Sequence, residues 1–147
     1  MDNDSFLDFL DGGDEEEVYE DELEKAVRQY LEDEGISAMA AIDVIGNDID
    51  SYVDLVRLFV EITPERIGEL KEYLANGDML NYSILAHSTK SDSLLVGAEA
   101  LSAVAKGHEL EAKQDNAAYA KEHWDEFESL WMEYYKKYNR FLEEIDR

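Results

Sequence analysis

The sequence predicts an all-α protein, and three observations carry that prediction. Apolar residues recur at three- and four-residue spacing through most of the chain, the pattern of amphipathic helices packed on one another. The strongest case is C-terminal, where Trp124, Trp131, Tyr138 and Ile145 recur every seven residues and Phe127, Tyr134 and Phe141 fill the alternate seam. Nowhere does strict apolar/polar alternation run between turn signals, so no strand competes with the helices.

Each element follows from its punctuation. Residues 1–14 form an acidic tail: Asp2, Asp4, Asp8, Asp11 and Asp14 lead into Glu15, Glu16 and Glu17, all ahead of the first base, Lys25. Such a run is expected to be solvated, although Phe6, Leu7, Phe9 and Leu10 also suit a short docking helix or a peptide ligand. Gly12-Gly13 separates it from a single helical domain over 15–147. The first helix runs from Glu15 to about Glu34, carries Val18, Leu23, Val27, Tyr30 and Leu31, and closes at Gly35. An apolar connection follows, with Ile36, Met39, Ala40, Ala41, Ile42, Val44 and Ile45.

Asp48 or Asp50 caps the next helix, whose inward stripe is Tyr52, Val56, Phe59, Val60, Ile67, Leu70 and Leu74. Pro64, the only proline, is expected to kink it. Gly77 ends it and Asp78 caps a third helix, with Tyr82, Leu85, Ala86, Thr89, Ser93 and Val96 facing inward. After Gly97 a fourth helix sets Ala98, Leu101, Val104, Ala105 and Ala112 on one side. From Asn116 to Ile145 the heptad pattern predicts one long helix, its aromatic stripe serving as core because no bases are interleaved along that face.

Composition narrows the function classes. With 37 acids against 13 bases and a net charge of −24, the chain repels nucleic acid and anionic membranes alike. Absent cysteine excludes disulfides and thiolate metal sites. The apolar runs are too short to span a membrane and Met1-Asp2-Asn3-Asp4 is unlike a signal peptide, so a cytoplasmic location is expected. No glycine-rich phosphate loop, calcium loop or zinc spacing is present, and no cofactor is expected.

Against this background one stretch stands out. Between Met79 and Ser91 there is no Asp or Glu, and His87 lies inside it with Lys90 about one helical turn ahead and small Ser91 stacked over it. An imidazole with a cation in reach, little bulk beside it and no acid nearby suits a histidine that receives a phosphoryl group. His108 is read as a hydrogen-bonded, partly buried residue at a core position, and His123, between Glu122 and Trp124, as a surface residue.

The stretch Ala86-His87-Ser88-Thr89-Lys90-Ser91-Asp92-Ser93, followed by Leu94-Leu95-Val96-Gly97-Ala98, resembles the signature of the histidine-containing phosphotransfer (HPt) domains of bacterial and plant phosphorelays. Leu101, Val104, Ala105, Glu109, Ala112 and Asp115 keep the family pattern of the following helix, with His108 where a core leucine is usual. Thr89, Ser91 and Asp92 depart from the usual Leu, Gly and Ser.

The resemblance implies an antiparallel up-down four-helix bundle, its core from about residue 36 to 145, with an additional N-terminal helix. It implies that His87 relays a phosphoryl group between receiver-domain aspartates. Lys90 would stabilise its charge and Ser91 would leave room for the partner, with Ser83, Ile84 and Leu94 in the docking patch. Response-regulator receivers or a hybrid sensor kinase are the implied partners, Mg²⁺ and most of the catalytic machinery belong to the receiver, and the carrier is a monomer. The competing reading is a bundle that has lost phosphotransfer and acts as an interaction module, favoured by the departures at Thr89, Ser91 and Asp92.

Overall fold

Capping residues divide the chain into helices much as the punctuation predicts, and no strand occurs among the described residues. The computed structural model describes residues 16–37, 41–43, 46 and 48–146. The tail over 1–14, with Phe6, Leu7, Phe9 and Leu10, lies outside the described residues, as do Met39, Ala40, Val44 and Ile45 and the side chains of Val18 and Leu23.

Helix α1 (Glu16–Asp33) buries Val27 and Leu31. It ends at Gly35, whose φ of 77° lets Ile36 N reach back to Leu31 O at 2.8 Å and Gly35 N to Glu32 O at 2.9 Å. These are the two bonds of a Schellman end. Helix α2 (Ile49–Asn76) is capped by Asp48, whose carboxylate accepts from the backbone of Asp50 and Ser51. It runs through Pro64 without ending, and buries Tyr52, Val56, Phe59, Ile67, Leu70 and Leu74 as the stripe requires, while Val60 is half-buried. Thr63, beside that proline, is also buried; its hydroxyl donates to Phe59 O at 2.6 Å and accepts from Trp131 Nε1 at 3.1 Å. One hydroxyl thus ties the proline region of α2 to the C-terminal helix.

Helix α3 (Met79–Leu95) is capped by Asp78, and helix α4 (Glu99–Lys113) follows a tight turn through Gly97. Gly97 has φ 85°, and a Cβ there would lie 2.7 Å from the Ser37 carbonyl oxygen, while Ser37 N donates to Gly97 O at 3.2 Å. Next to it, the Val96 carbonyl at the end of α3 accepts from Tyr52 Oη at 2.7 Å and from Tyr138 Oη at 2.6 Å. A carbonyl that the helix end leaves unpaired is so satisfied from two other helices at once. Asp115 has φ 59° and makes the next turn.

The C-terminal stretch corrects one expectation. In place of a single helix from Asn116 there are two, α5 (Ala117–Glu122) and α6 (Trp124–Ile145), separated at His123. His123 has φ −102° and ψ 9°, bridge-region values that interrupt the helix for one residue. His123 is half-buried, its ring 4.2 Å from that of Tyr119, and the heptad pattern continues across the break without registering it. The aromatic seam is core: Trp124, Phe127, Trp131, Tyr134, Tyr138 and Phe141 are all buried. Phe127 stacks on Trp131 at 5.3 Å and Phe59 meets Tyr138 edge-on at 5.2 Å. No helix among the described residues is long and apolar enough to cross a membrane.

Gly97→Ala combines the left-handed penalty with a clash against backbone, so it should lower unfolding free energy by about 2 kcal/mol or more in urea titration. Gly46→Ala, also at positive φ but with nothing within 4 Å of the added Cβ, should cost less. Equal losses at the two positions would contradict the close approach of Ser37.

Candidate functional site around His87 and Glu109

Small residues predominate at the buried positions of α4 and of the second half of α3, and this decides what reaches His87. Ala98, Leu101, Ser102 and Ala105 on α4 and Ala86, Thr89 and Ser93 on α3 are buried. Ser102 Oγ donates to the Lys90 carbonyl at 2.9 Å, and the hydroxyls of Thr89 and Ser93 fold back onto their own helix at Leu85 O and Thr89 O. Thr89 therefore faces inward, as its place on the α3 stripe predicts. The two helices come close enough for a side chain of α4 to meet the His87 ring.

That side chain is Glu109. Its residue is 2 % exposed, and its carboxylate takes three partners: His87 Nδ1 at 2.8 Å and Lys113 Nζ at 2.8 Å on Oε2, and Lys90 Nζ at 2.9 Å on Oε1. Burial by itself pushes this carboxyl up. The hydrogen bonds from Lys113, Lys90 and His87 outweigh it and bring the pKa down from 4.5 to about 2.

An ionised carboxylate only accepts, so the hydrogen of the His87–Glu109 bond sits on Nδ1. This assignment follows from the network, and it leaves the lone pair of a neutral His87 on Nε2. The His87 side chain is itself 56 % exposed. A buried anion thus holds one edge of an imidazole that is open to solvent.

The acid-free surroundings expected for His87 hold along residues 79–91 of α3 and fail across to α4. The stretch from Met79 to Ser91 has no acid, yet the nearest charged group to the ring is a carboxylate from another helix. Lys90 is where the sequence suggests, a turn from His87, and its ammonium is engaged with Glu109. Ser91 is exposed beside the histidine. Asp92 is turned toward α2, where it accepts from Arg66 at 2.7 Å.

Of the three residues placed in the docking patch, Ile84 and Leu94 are 57 % and 52 % exposed. Ser83 is not part of it: the residue is 4 % exposed and its hydroxyl donates to Leu80 O at 2.7 Å. Its angular position carries it into the α3 interface. Leu80 is strongly exposed on the Ile84 side of the helix instead.

His108 is more deeply enclosed than expected, at 1 % exposure, with Nδ1 2.8 Å from Tyr82 Oη and its ring 4.4 Å from that of Phe127. Burial pushes its pKa down from 6.5 to about 4. It belongs to the core beneath the site and is screened from the solvent that reaches His87.

Glu109 and Lys113 are the site residues that sequence reasoning missed. Glu109 was visible as a match to the family pattern, and it stands about as far after the Gly97 turn as His87 stands before it. In a helical hairpin such positions face each other. Lys113 follows Glu109 by four residues, one turn along the same face.

No group of His, Cys, Asp and Glu side chains able to hold a metal ion occurs among the described residues. Compared with protein-family models, curated proteins and solved structures, the chain finds no match in any of the three.

The depressed Glu109 pKa makes a signed prediction. A carboxyl at about 2 in the folded chain and 4.5 unfolded adds stability that is complete above pH 4.5 and lost as pH falls toward 2. Urea titrations of wild type and Glu109→Gln should therefore show a stability gap that narrows by about 3 kcal/mol between pH 5 and pH 2. A gap that stays constant over that window would mean that the three bonds do not favour the ionised form.

Proposed function

We propose that the protein is a histidine phosphotransfer carrier of the HPt type, relaying a phosphoryl group between receiver-domain aspartates through His87. The observation that carries this reading is the exposed imidazole held at Nδ1 by a buried carboxylate that also gathers two lysines. In this reading α2, α3, α4 and α6 form the antiparallel up-down four-helix bundle, and α1 is the additional N-terminal helix.

The transfer step follows from the hydrogen bonds. The Nε2 lone pair attacks the phosphorus of an aspartyl phosphate; an N–P bond forms, the acyl-phosphate P–O bond breaks, and the receiver recovers its carboxylate. The Nδ1 proton stays in its bond to Glu109, whose negative charge balances the positive charge gained by the ring. Lys90 lies within reach to balance the incoming phosphoryl group, which is much of what a protein can contribute to phosphoryl transfer. Onward transfer runs the same bonds in reverse to a second aspartate. Mg²⁺ is supplied by the receiver, as the family resemblance implies.

Partner access suits the same reading. Ile84 and Leu94 flank His87 along α3, and Leu110 is exposed on α4, next in sequence to Glu109. Their side chains give a modest apolar rim around a polar centre, while the acid nearest in sequence, Asp92, is held by Arg66.

Incubation with a panel of phosphorylated receiver domains, followed by intact-mass analysis, tests the reading. Wild type should gain one acid-labile, alkali-stable phosphoryl group and His87→Gln none, with equal helical content by circular dichroism. Labelling that survives in the variant would overturn the acceptor assignment. Absence of labelling from every receiver would favour the interaction module.

A further inference from the structure

The Glu109 cluster holds more positive charge than its own carboxylate needs. Lys90 and Lys113 both sit on one buried anion, and the histidine adds a third hydrogen bond without requiring a charge of its own. Two ammonium groups against one carboxylate leave an excess of one positive charge. In a chain with 13 bases and 37 acids, that surplus stands beside the single exposed histidine of α3.

The two lysines are not equivalent. Lys90 comes from the same helix as His87, lies on Oε1 and has a side chain only 25 % exposed. Lys113 comes from α4, lies on Oε2 together with His87 Nδ1, and has a side chain 57 % exposed. A shared oxygen brings the Lys113 ammonium to the edge of the imidazole. Its exposed stem is free to swing without disturbing the packed α3–α4 face. Glu109 keeps two other partners when Lys113 leaves, so the buried carboxylate is not abandoned.

On the phosphotransfer reading above, we propose that Lys113 is a second phosphoryl-binding cation, exchanging from Glu109 to the phosphoryl group once His87 Nε2 carries it. The charge count supports the exchange. Before phosphorylation the carboxylate and two ammonium groups sum to an excess of one positive charge; transfer adds a positive ring and a phosphoryl dianion, which cancels that excess and sets two negative charges on the outer side of the site, where they draw the more exposed ammonium outward. Lys113 then holds the dianionic form of phosphohistidine, whereas Lys90 alone would share itself between carboxylate and phosphoryl group.

The test needs no cognate receiver. Phosphoramidate supplies the phosphoryl group: Nε2 forms the N–P bond as the phosphorus–nitrogen bond of the reagent breaks and ammonia leaves. Wild type, Lys113→Gln and Lys113→Arg are labelled, the site is checked against His87→Gln, and the ³¹P resonance of phosphohistidine is followed against pH. The midpoint of the phosphoryl titration should move upward by roughly half to one pH unit in Lys113→Gln and return toward wild type in Lys113→Arg.

Labelling of His87 with identical midpoints in all three proteins would overturn the role of Lys113 and leave the phosphotransfer reading in place. Failure of phosphoramidate to label His87 in folded wild type would count against that reading, and the inference would fall with it. Circular dichroism on each variant separates either result from unfolding.

Discussion

A buried carboxylate that must stay charged is the constraint on which this site depends. Glu109 is enclosed between α3 and α4, where an unpaired anion would cost several kcal/mol, roughly the scale of the whole fold's margin. Its three partners offset that cost, and in doing so they fix the geometry around His87. The ring is oriented, its Nδ1 proton is placed, and two lysines are collected at one point of an otherwise acidic molecule. Stability and chemistry share the same hydrogen bonds here.

The rest of the fold keeps α3 where Glu109 can reach it. Val96 O at the end of α3 is held by Tyr52 from α2 and Tyr138 from α6, and the neighbouring Gly97 turn lies against Ser37. Small buried residues along α3 and α4 then set the distance between the helices. The aromatic seam of α6 supplies the bulk of the apolar burial on the other side. Rigid packing on the inner face leaves the outer face of α3, with Ile84, His87, Ser91 and Leu94, open to solvent.

Much of the fold was legible because local chemistry decided it. Gly35, Gly77 and Asp78 end or start helices where their conformational preferences say, and the heptad stripe of α6 is buried from Trp124 to Phe141, with Ile145 half-buried at its end. What misled was information that spacing does not contain. The one-residue break at His123 leaves the heptad register intact, so periodicity could not reveal it. Ser83 was assigned to the wrong face because its position borders two, and a short side chain that bonds its own helix gives no hydropathic cue. Glu109 was missed for a different reason: avoidance of acids was read along one helix, whereas the decisive acid arrives from the next one and brings its own neutralising lysine. Pairings between helices need the hairpin register, which here could have been counted outward from Gly97.

Glu109 holds His87 as the tautomer with Nδ1–H, which leaves the lone pair on Nε2, the nucleophile of the proposed transfer. Nitrogen-15 NMR of the imidazole in unphosphorylated protein at neutral pH reads this directly, through the chemical shifts and two-bond proton couplings of the two ring nitrogens. The account predicts a protonated Nδ1 and an unprotonated Nε2 in wild type, with this preference lost in Glu109→Ala. An Nε2–H tautomer in wild type, or a preference unchanged by loss of the carboxylate, would contradict it.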